Sequence, residues 1–192
     1  MPKIGLFFGS FNPIHIGHLM IAEYFVENTD LKEVWFVVSP NSPFKKKDSL
    51  LNENQRLYMV NIAIEDDSRF RSCDIEFKLS YLSYTCNTLV FLKEKYPDKE
   101  FVLMMGEDNL EGITKWKNSD YILQNYEIYV YPRIGSDGTQ WKEQPNITLV
   151  PAPYIGISAT LIRQSIANHK SVKYFLHPKV ASFIDEMNLY RK

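Results

Sequence analysis

Two histidines three residues apart, His15 and His18, are the first side chains in this sequence equipped to do chemistry. An apolar run, Lys3 to Phe8, precedes them, followed by Gly9, Ser10, Asn12 and Pro13; after them Leu19, Ala22 and Val26 recur at helical spacing. The order predicts a buried strand, a glycine turn and a helix N-terminus. Unpaired N–H groups at a helix N-terminus attract anions, phosphates above all, and two imidazoles add donors or charge. Either histidine alone would read as a cap or a surface residue. The pair, at this spacing and behind this turn, reads as a phosphate site. Arg163 supplies a second cation. It lies five residues after Ser158, a good N-cap, and so opposes the dipole of the helix it sits in. That placement makes sense where an anion is bound, because a guanidinium grips phosphate oxygens through paired hydrogen bonds. It also implies that the free protein gains little stability from Arg163. In the run Lys45-Lys46-Lys47, most of the charge reads as solvated surface, with one lysine left as a phosphate contact.

The elements that must position these residues follow from periodicity. Val34 to Ser39 predicts a second buried strand, followed by a loop over Pro40 to Asn52. A helix begins at Glu53, with Leu57, Val60 and Ile64 on one face and Arg56 near its start. Phe70 to Lys78 predicts a third strand, Ser80 to Tyr84 a turn, and Leu89 to Lys95 a helix stopped by Pro97. Glu100 to Met105 is a further strand running into Gly106, Glu107 and Asp108. Short helical stretches carry Leu110, Trp116 and Tyr121 to Leu123. Glu127 to Tyr131 is a strand ending at Pro132-Arg133, Ile134 to Asn146 an irregular excursion, and Ile147 to Val150 a last short strand. Two helices close the chain, one from Ser158 with Leu161, Ile162 and Ile166, one from Pro178 with Val180, Phe183, Ile184 and Met187 as its apolar face. Strands alternating with helices predict an α/β fold, a doubly wound (Rossmann-like) parallel sheet in a single domain, 1–192, with a short C-terminal helical segment. In such sheets ligands gather at the carboxyl ends of the strands. The glycine turn, the lysine loop, Tyr84-Thr85, Gly106 to Asp108 and Arg133 all fall on that side.

Composition narrows the class. The chain has 192 residues, 45% hydrophobic and 23% charged, which fits one globular domain with a real core. A net charge of -1 offers no electrostatic case for nucleic acid or an anionic membrane as a partner, so phosphate binding must come from a local cluster. No secretory signal and no membrane-spanning run is evident. Cys73 and Cys86 lack metal-ligand spacing and read as packing residues. The expectation is a cytoplasmic protein; a homo-oligomer is compatible with everything above.

The run G-S-F-N-P-I-H-I-G-H from Gly9 resembles the G-x-F-x-P-x-H-x-G-H signature of the HxGH nucleotidyltransferases, which transfer a nucleotidyl group from a nucleoside triphosphate and expel pyrophosphate. Ile157-Ser158-Ala159-Thr160-Leu161-Ile162-Arg163 resembles the I-S-S/A-T-x-I-R motif of the same superfamily, whose Ser and Arg hold the triphosphate. Ser83-Tyr84-Thr85-Cys86-Asn87-Thr88-Leu89 is similar to the S-Y-T-x-D-T-L stretch of bacterial nicotinate mononucleotide adenylyltransferases, with Asn87 in place of the acidic residue. Gly106 to Asn109, with Trp116 beyond, resembles their G-x-D-x-L…W segment, and the C-terminal LHPKVASFIDEMNLYRK looks like their last helix. Lys45 falls at the basic position of their P-x-x-P-H-K loop, although Phe44 stands where that loop has His.

What the resemblance implies is adenylyl transfer from ATP to nicotinate mononucleotide in NAD biosynthesis, with Mg2+ carried on the triphosphate and no metal held by protein side chains. The ATP site would comprise Gly9, Ser10, Phe11, His15, His18, Gly106, Asp108, Ile157, Ser158 and Arg163, with Ser10, His15, His18 and Arg163 catalytic. The acceptor site would comprise Lys45, Tyr84, Thr85, Trp116 and Arg133, Trp116 stacking on the pyridine ring. Without the family, Trp116 reads equally well as core. The chemistry agrees, since a phosphate monoester with a second pKa of about 6 is already anionic at neutral pH and needs no general base. The difficulty is to bring two anions into line, which is positioning and electrostatics. Nicotinamide mononucleotide and phosphopantetheine are the alternative acceptors, and a catalytically silent nucleotide sensor is the alternative of another class.

Overall fold

A computed structural model of the chain describes residues 1–40, 50–79 and 84–191. Six strands form one wholly parallel sheet in the order β3-β2-β1-β4-β5-β6. They are β1 (Lys3–Gly9), β2 (Leu31–Val38), β3 (Phe70–Cys73), β4 (Glu100–Gly106), β5 (Glu127–Tyr131) and β6 (Ile147–Leu149). The helices are α1 (Ile16–Asn28), α2 (Glu53–Ile64), α3 (Thr85–Lys95), α4 (Glu107–Leu110), α5 (Ser119–Asn125), α6 (Ala159–Ala167) and α7 (Pro178–Glu186). The apolar runs are buried on both faces, and the two-residue period of a strand sends alternate side chains into two different cores. Phe7, Phe36, Val38, Met104 and Tyr131 join residues of α1, α2, α6 and α7 on one face. Leu6, Trp35, Val37, Leu103, Met105 and Val130 meet α3, α4 and α5 on the other.

Strand order reverses between β1 and β4, where Phe7 lies opposite Met104. A doubly wound sheet opens a crevice beyond such neighbouring strand ends because the crossovers leave in opposite directions. Gly9 and Gly106 end these two strands, so the predicted glycine turn and the Gly106 segment flank the crevice. At the opposite end of the sheet, Lys3 Nζ bridges Asp30 and Glu127, each at 2.8 Å.

Three local expectations are corrected. The third strand stops at Cys73 rather than Lys78, because it is an edge strand paired only along Val34 to Val37. Ile75 to Phe77 instead forms a 3-10 turn that buries Ile75 and Glu76. Met187 is not on the apolar face of α7: that helix ends at Glu186 and leaves Met187 exposed, while Val180 and Ile184 are buried. Leu161 of α6 is likewise exposed, and Ile162 and Ile166 carry that helix into the core. Both cysteines are free and buried, and burial raises the Cys73 thiol to about 11, so packing accounts for them.

Candidate active site

The turn after β1 brings the histidines together. His15 is the N-cap of α1, and its backbone N–H donates to Nδ1 of His18 at 3.2 Å. The two imidazoles stack, with ring centroids 3.7 Å apart and planes 26° from parallel, and Phe11 meets His18 edge-on at 5.1 Å. Gly17 has to be glycine here, since a Cβ would lie 2.6 Å from Cγ2 of Ile155 and 3.0 Å from Nδ1 of His15. That Nδ1 is buried with no hydrogen-bond partner among the described residues. His15 is only 5% exposed, and burial, aided by the positive charge of Arg133, lowers its pKa to about 4. In the free protein, then, His15 is a neutral imidazole at pH 7. Phe11 adopts a left-handed backbone (φ 44°) and is only 2% exposed, its ring packed edge-on against Phe7, Phe36 and His18.

Arg163 reaches this turn from the far end of the chain. Its Nη1 donates to the Asn12 carbonyl at 2.8 Å, and its Nη2 to Thr160 Oγ1 at 3.3 Å. The expectation that Arg163 adds little to the free protein is therefore corrected, for it ties α6 to the glycine turn. Ser158 caps α6, its Oγ accepting from Leu161 N–H at 3.2 Å, and Ile157 packs on the core beside it. Beyond β4, Arg133 Nε faces Asp108 Oδ1 at 3.5 Å, and a Cβ on Gly106 would run into both side chains. Glu107 braces the Arg133 segment by accepting from the backbone N–H groups of Arg133 (2.9 Å) and Gly138 (3.2 Å). Arg133, expected on the acceptor side, thus pairs with Asp108 of the expected ATP side and acts electrostatically on His15.

Of the residues expected at the acceptor, Tyr84, Thr85 and Trp116 belong to elements on the other face of the sheet. Tyr84 is the N-cap and Thr85 the first residue of α3. Tyr84 and Trp116 are both half-buried against the same core, and Lys117 Nζ sits over the Tyr84 ring at 4.4 Å. Trp116 thus packs on the core, and its neighbour Lys117 reaches the N-cap of α3. Lys45, with Phe44, Lys46 and Lys47, and Ser83 lie outside the described residues.

Two residues escape the sequence reading. Arg56 is fully buried, and its guanidinium donates to the carbonyls of Ser10 (2.7 Å), Ser39 (2.7 Å), Pro40 (2.9 Å) and Leu51 (2.9 Å). Its signal was available: Arg56 opposes the dipole of α2 as Arg163 opposes that of α6. Asn12, 3% exposed and joined to Pro13 by a cis peptide bond, accepts at Oδ1 from Tyr190 Oη (2.8 Å) and Leu51 N–H (3.4 Å).

Comparison with known proteins identifies the family and the fold. A cytidylyltransferase-like family model matches residues 6–165. The chain is 52% identical over 192 residues, 99% of its length, to the whole of a Flavobacterium psychrophilum protein named probable nicotinate-nucleotide adenylyltransferase. It is 38% identical over 190 residues to a protein of the same name from Shouchella clausii, covering 99% of this chain and 97% of the relative. In fold it is similar to the Plasmodium falciparum nicotinic acid mononucleotide adenylyltransferase solved in complex with NaAD, with a TM-score of 0.84, 23% identity, and coverage of 99% and 98% of the two chains.

Proposed function

The chain belongs to the nicotinate-nucleotide adenylyltransferases, within the cytidylyltransferase-like family, and from that premise we infer that it joins ATP to nicotinate mononucleotide, giving nicotinate adenine dinucleotide and pyrophosphate. The observation that carries the reading is the stacked His15–His18 pair at the N-terminus of α1, at the sheet's switch point, with Arg163 drawn onto the same turn across the length of the chain. Donors at a helix N-terminus are what a triphosphate needs, and no base is required of the protein.

In this reading His18 and Ser10 meet the α-phosphate, and His15, Ser158 and Arg163 hold the β and γ groups. The Nδ1 edge of His15 lies against Gly17, which leaves Nε2 as the nitrogen for a phosphate oxygen. Gly106 and Asp108 border the adenosine, and Arg133 stands between the two substrates. Among the described residues no three His, Cys, Asp or Glu side chains group as a metal site. Mg2+, carried by the triphosphate, neutralises part of its charge when bound. Among the described residues no helix is long and apolar enough to cross a membrane. A reduced, cytoplasmic setting suits two free, buried cysteines.

The acceptor's carboxylate has to exchange water for N–H donors. No Arg or Lys occurs from Ser83 to Thr88, so backbone amides at the start of α3 are the donors assigned, with Trp116 against the ring. Such donors reject an amide NH₂. Pyrophosphate release with ATP and each acceptor in parallel should give kcat/KM for nicotinate mononucleotide at least about 10²-fold above that for nicotinamide mononucleotide. Comparable values would sink the acid assignment, and no release with any acceptor would sink adenylyl transfer itself.

A further inference from the structure

Arg56 is assigned no substrate contact in the reading above, yet three separate segments converge on it. Ser10 follows β1, Ser39 and Pro40 follow β2, and Leu51 precedes α2. Among the described residues its four bonds all go to backbone carbonyls, and no carboxylate forms an ion pair with it. A buried cation is costly unless its donors are satisfied, and burial lowers the Arg56 pKa from the ordinary value, with the charge of Glu53 opposing that shift. A fork of five N–H groups can satisfy carbonyls from three directions at once; an ammonium on a flexible stem cannot hold that geometry.

We propose that Arg56 is a positioning residue for adenylyl transfer, holding the Ser10 carbonyl inward so that the turn after β1 presents donors rather than an oxygen to the triphosphate. Arg56 is 0% exposed, so a carbonyl bonded to its Nη1 points into the protein. Released, that peptide can rotate its negative end toward the crevice, where it would face the triphosphate anion. The same Nη1 donates to the Ser39 carbonyl, and the Ser39 N–H donates to the Gly9 carbonyl at 3.0 Å, so the start of the turn is tied to the end of β2 as well. The neighbouring Phe11 is left-handed without being glycine, a conformation that persists only where the surroundings over-determine it.

The inference rests on the adenylyl transfer reading, and its test separates the two. Wild type, Arg56→Lys and Arg56→Gln are assayed for pyrophosphate release with ATP and nicotinate mononucleotide, below each variant's own melting temperature. The expected result is a melting transition in at least one variant, with kcat reduced at least about 10-fold and the acceptor KM within about 3-fold of wild type, as misplacement of reacting groups predicts. Lys should retain more activity than Gln where both fold. A folded variant whose kcat falls less, or whose loss appears as equal rises in both KM values, would overturn the proposal. So would failure of both variants to fold, which would assign Arg56 to the fold alone. A wild-type chain without turnover would instead overturn the reaction, whatever the variants do.

Discussion

At the scale of single residues, the protonation state of His15 decides how the free site meets an anion. Its pKa of about 4 comes first from burial and then from Arg133, so near neutral pH it offers a neutral N–H and not a charge. The folded value lies below the unfolded value of 6.5, so the unfolded chain binds the extra proton over that interval. Stability from this group is therefore complete above pH 6.5 and is lost as pH falls toward 4, to a total of about 3 kcal/mol. Chemical denaturation of wild type and His15→Gln across pH 4 to 7 should show the wild-type slope flattened in the variant. Imidazole titration by NMR should place His15 near 4 in the free protein and at least about one unit higher with ATP present, since a bound anion favours the imidazolium. An unchanged His15 titration with saturating ATP would contradict its assignment to the β and γ phosphates.

At the scale of elements, the proposed site is a meeting of helix ends. α1 brings His15 and His18, α3 brings Tyr84 and Thr85, and α6 brings Ser158 and Arg163. Arg163 donates to the Asn12 carbonyl and to Thr160 Oγ1 in the free protein and, in the proposed reaction, to phosphate oxygens. Arg163→Ala should raise the KM for ATP by at least about 10-fold while leaving the acceptor KM within about 3-fold. The lost charge-assisted bond to Asn12 should also lower stability by about 1–3 kcal/mol, a few degrees in Tm for a chain of this size. Thermal melts and initial rates on the same preparation check both. Equal weakening of the two substrates would move Arg163 away from the triphosphate.

At the scale of the whole molecule, the last residues reach back to the first turn. Tyr190 Oη donates to Asn12 Oδ1 at 2.8 Å across 178 residues of sequence, and Asn12 in turn holds Arg163. α7 is itself anchored to the end of α2 by Lys179, which bridges Glu65 and Asp66. Tyr190→Phe keeps the ring and removes only the hydroxyl. It should cost about 1 kcal/mol, roughly 2–4 °C in Tm, and lower kcat measurably if the C-terminal segment positions the turn. An unchanged kcat with a lowered Tm would confine Tyr190 to stability.

What the sequence determined by itself is everything that periodicity and side-chain type encode locally. The doubly buried strands, the glycine turn, the N-terminus of α1 with its two histidines, and the cap Ser158 with Arg163 behind it are all short-range patterns. The β3 boundary and the face of α7 went astray because an edge strand ends where its partner ends and a helix face ends with its helix, and neither limit is written in the local period. Only the tertiary structure decided the strand order that sets Gly9 beside Gly106, the burial that keeps His15 neutral, and the placing of Arg133 against Asp108 and within electrostatic reach of His15. The same holds for Arg56 and Arg163, whose acceptors are main-chain carbonyls of Ser10, Ser39, Pro40, Leu51 and Asn12. Every residue carries such a carbonyl, so a side chain that binds the backbone leaves no mark on its partner's identity, and only the folded chain shows which one it holds.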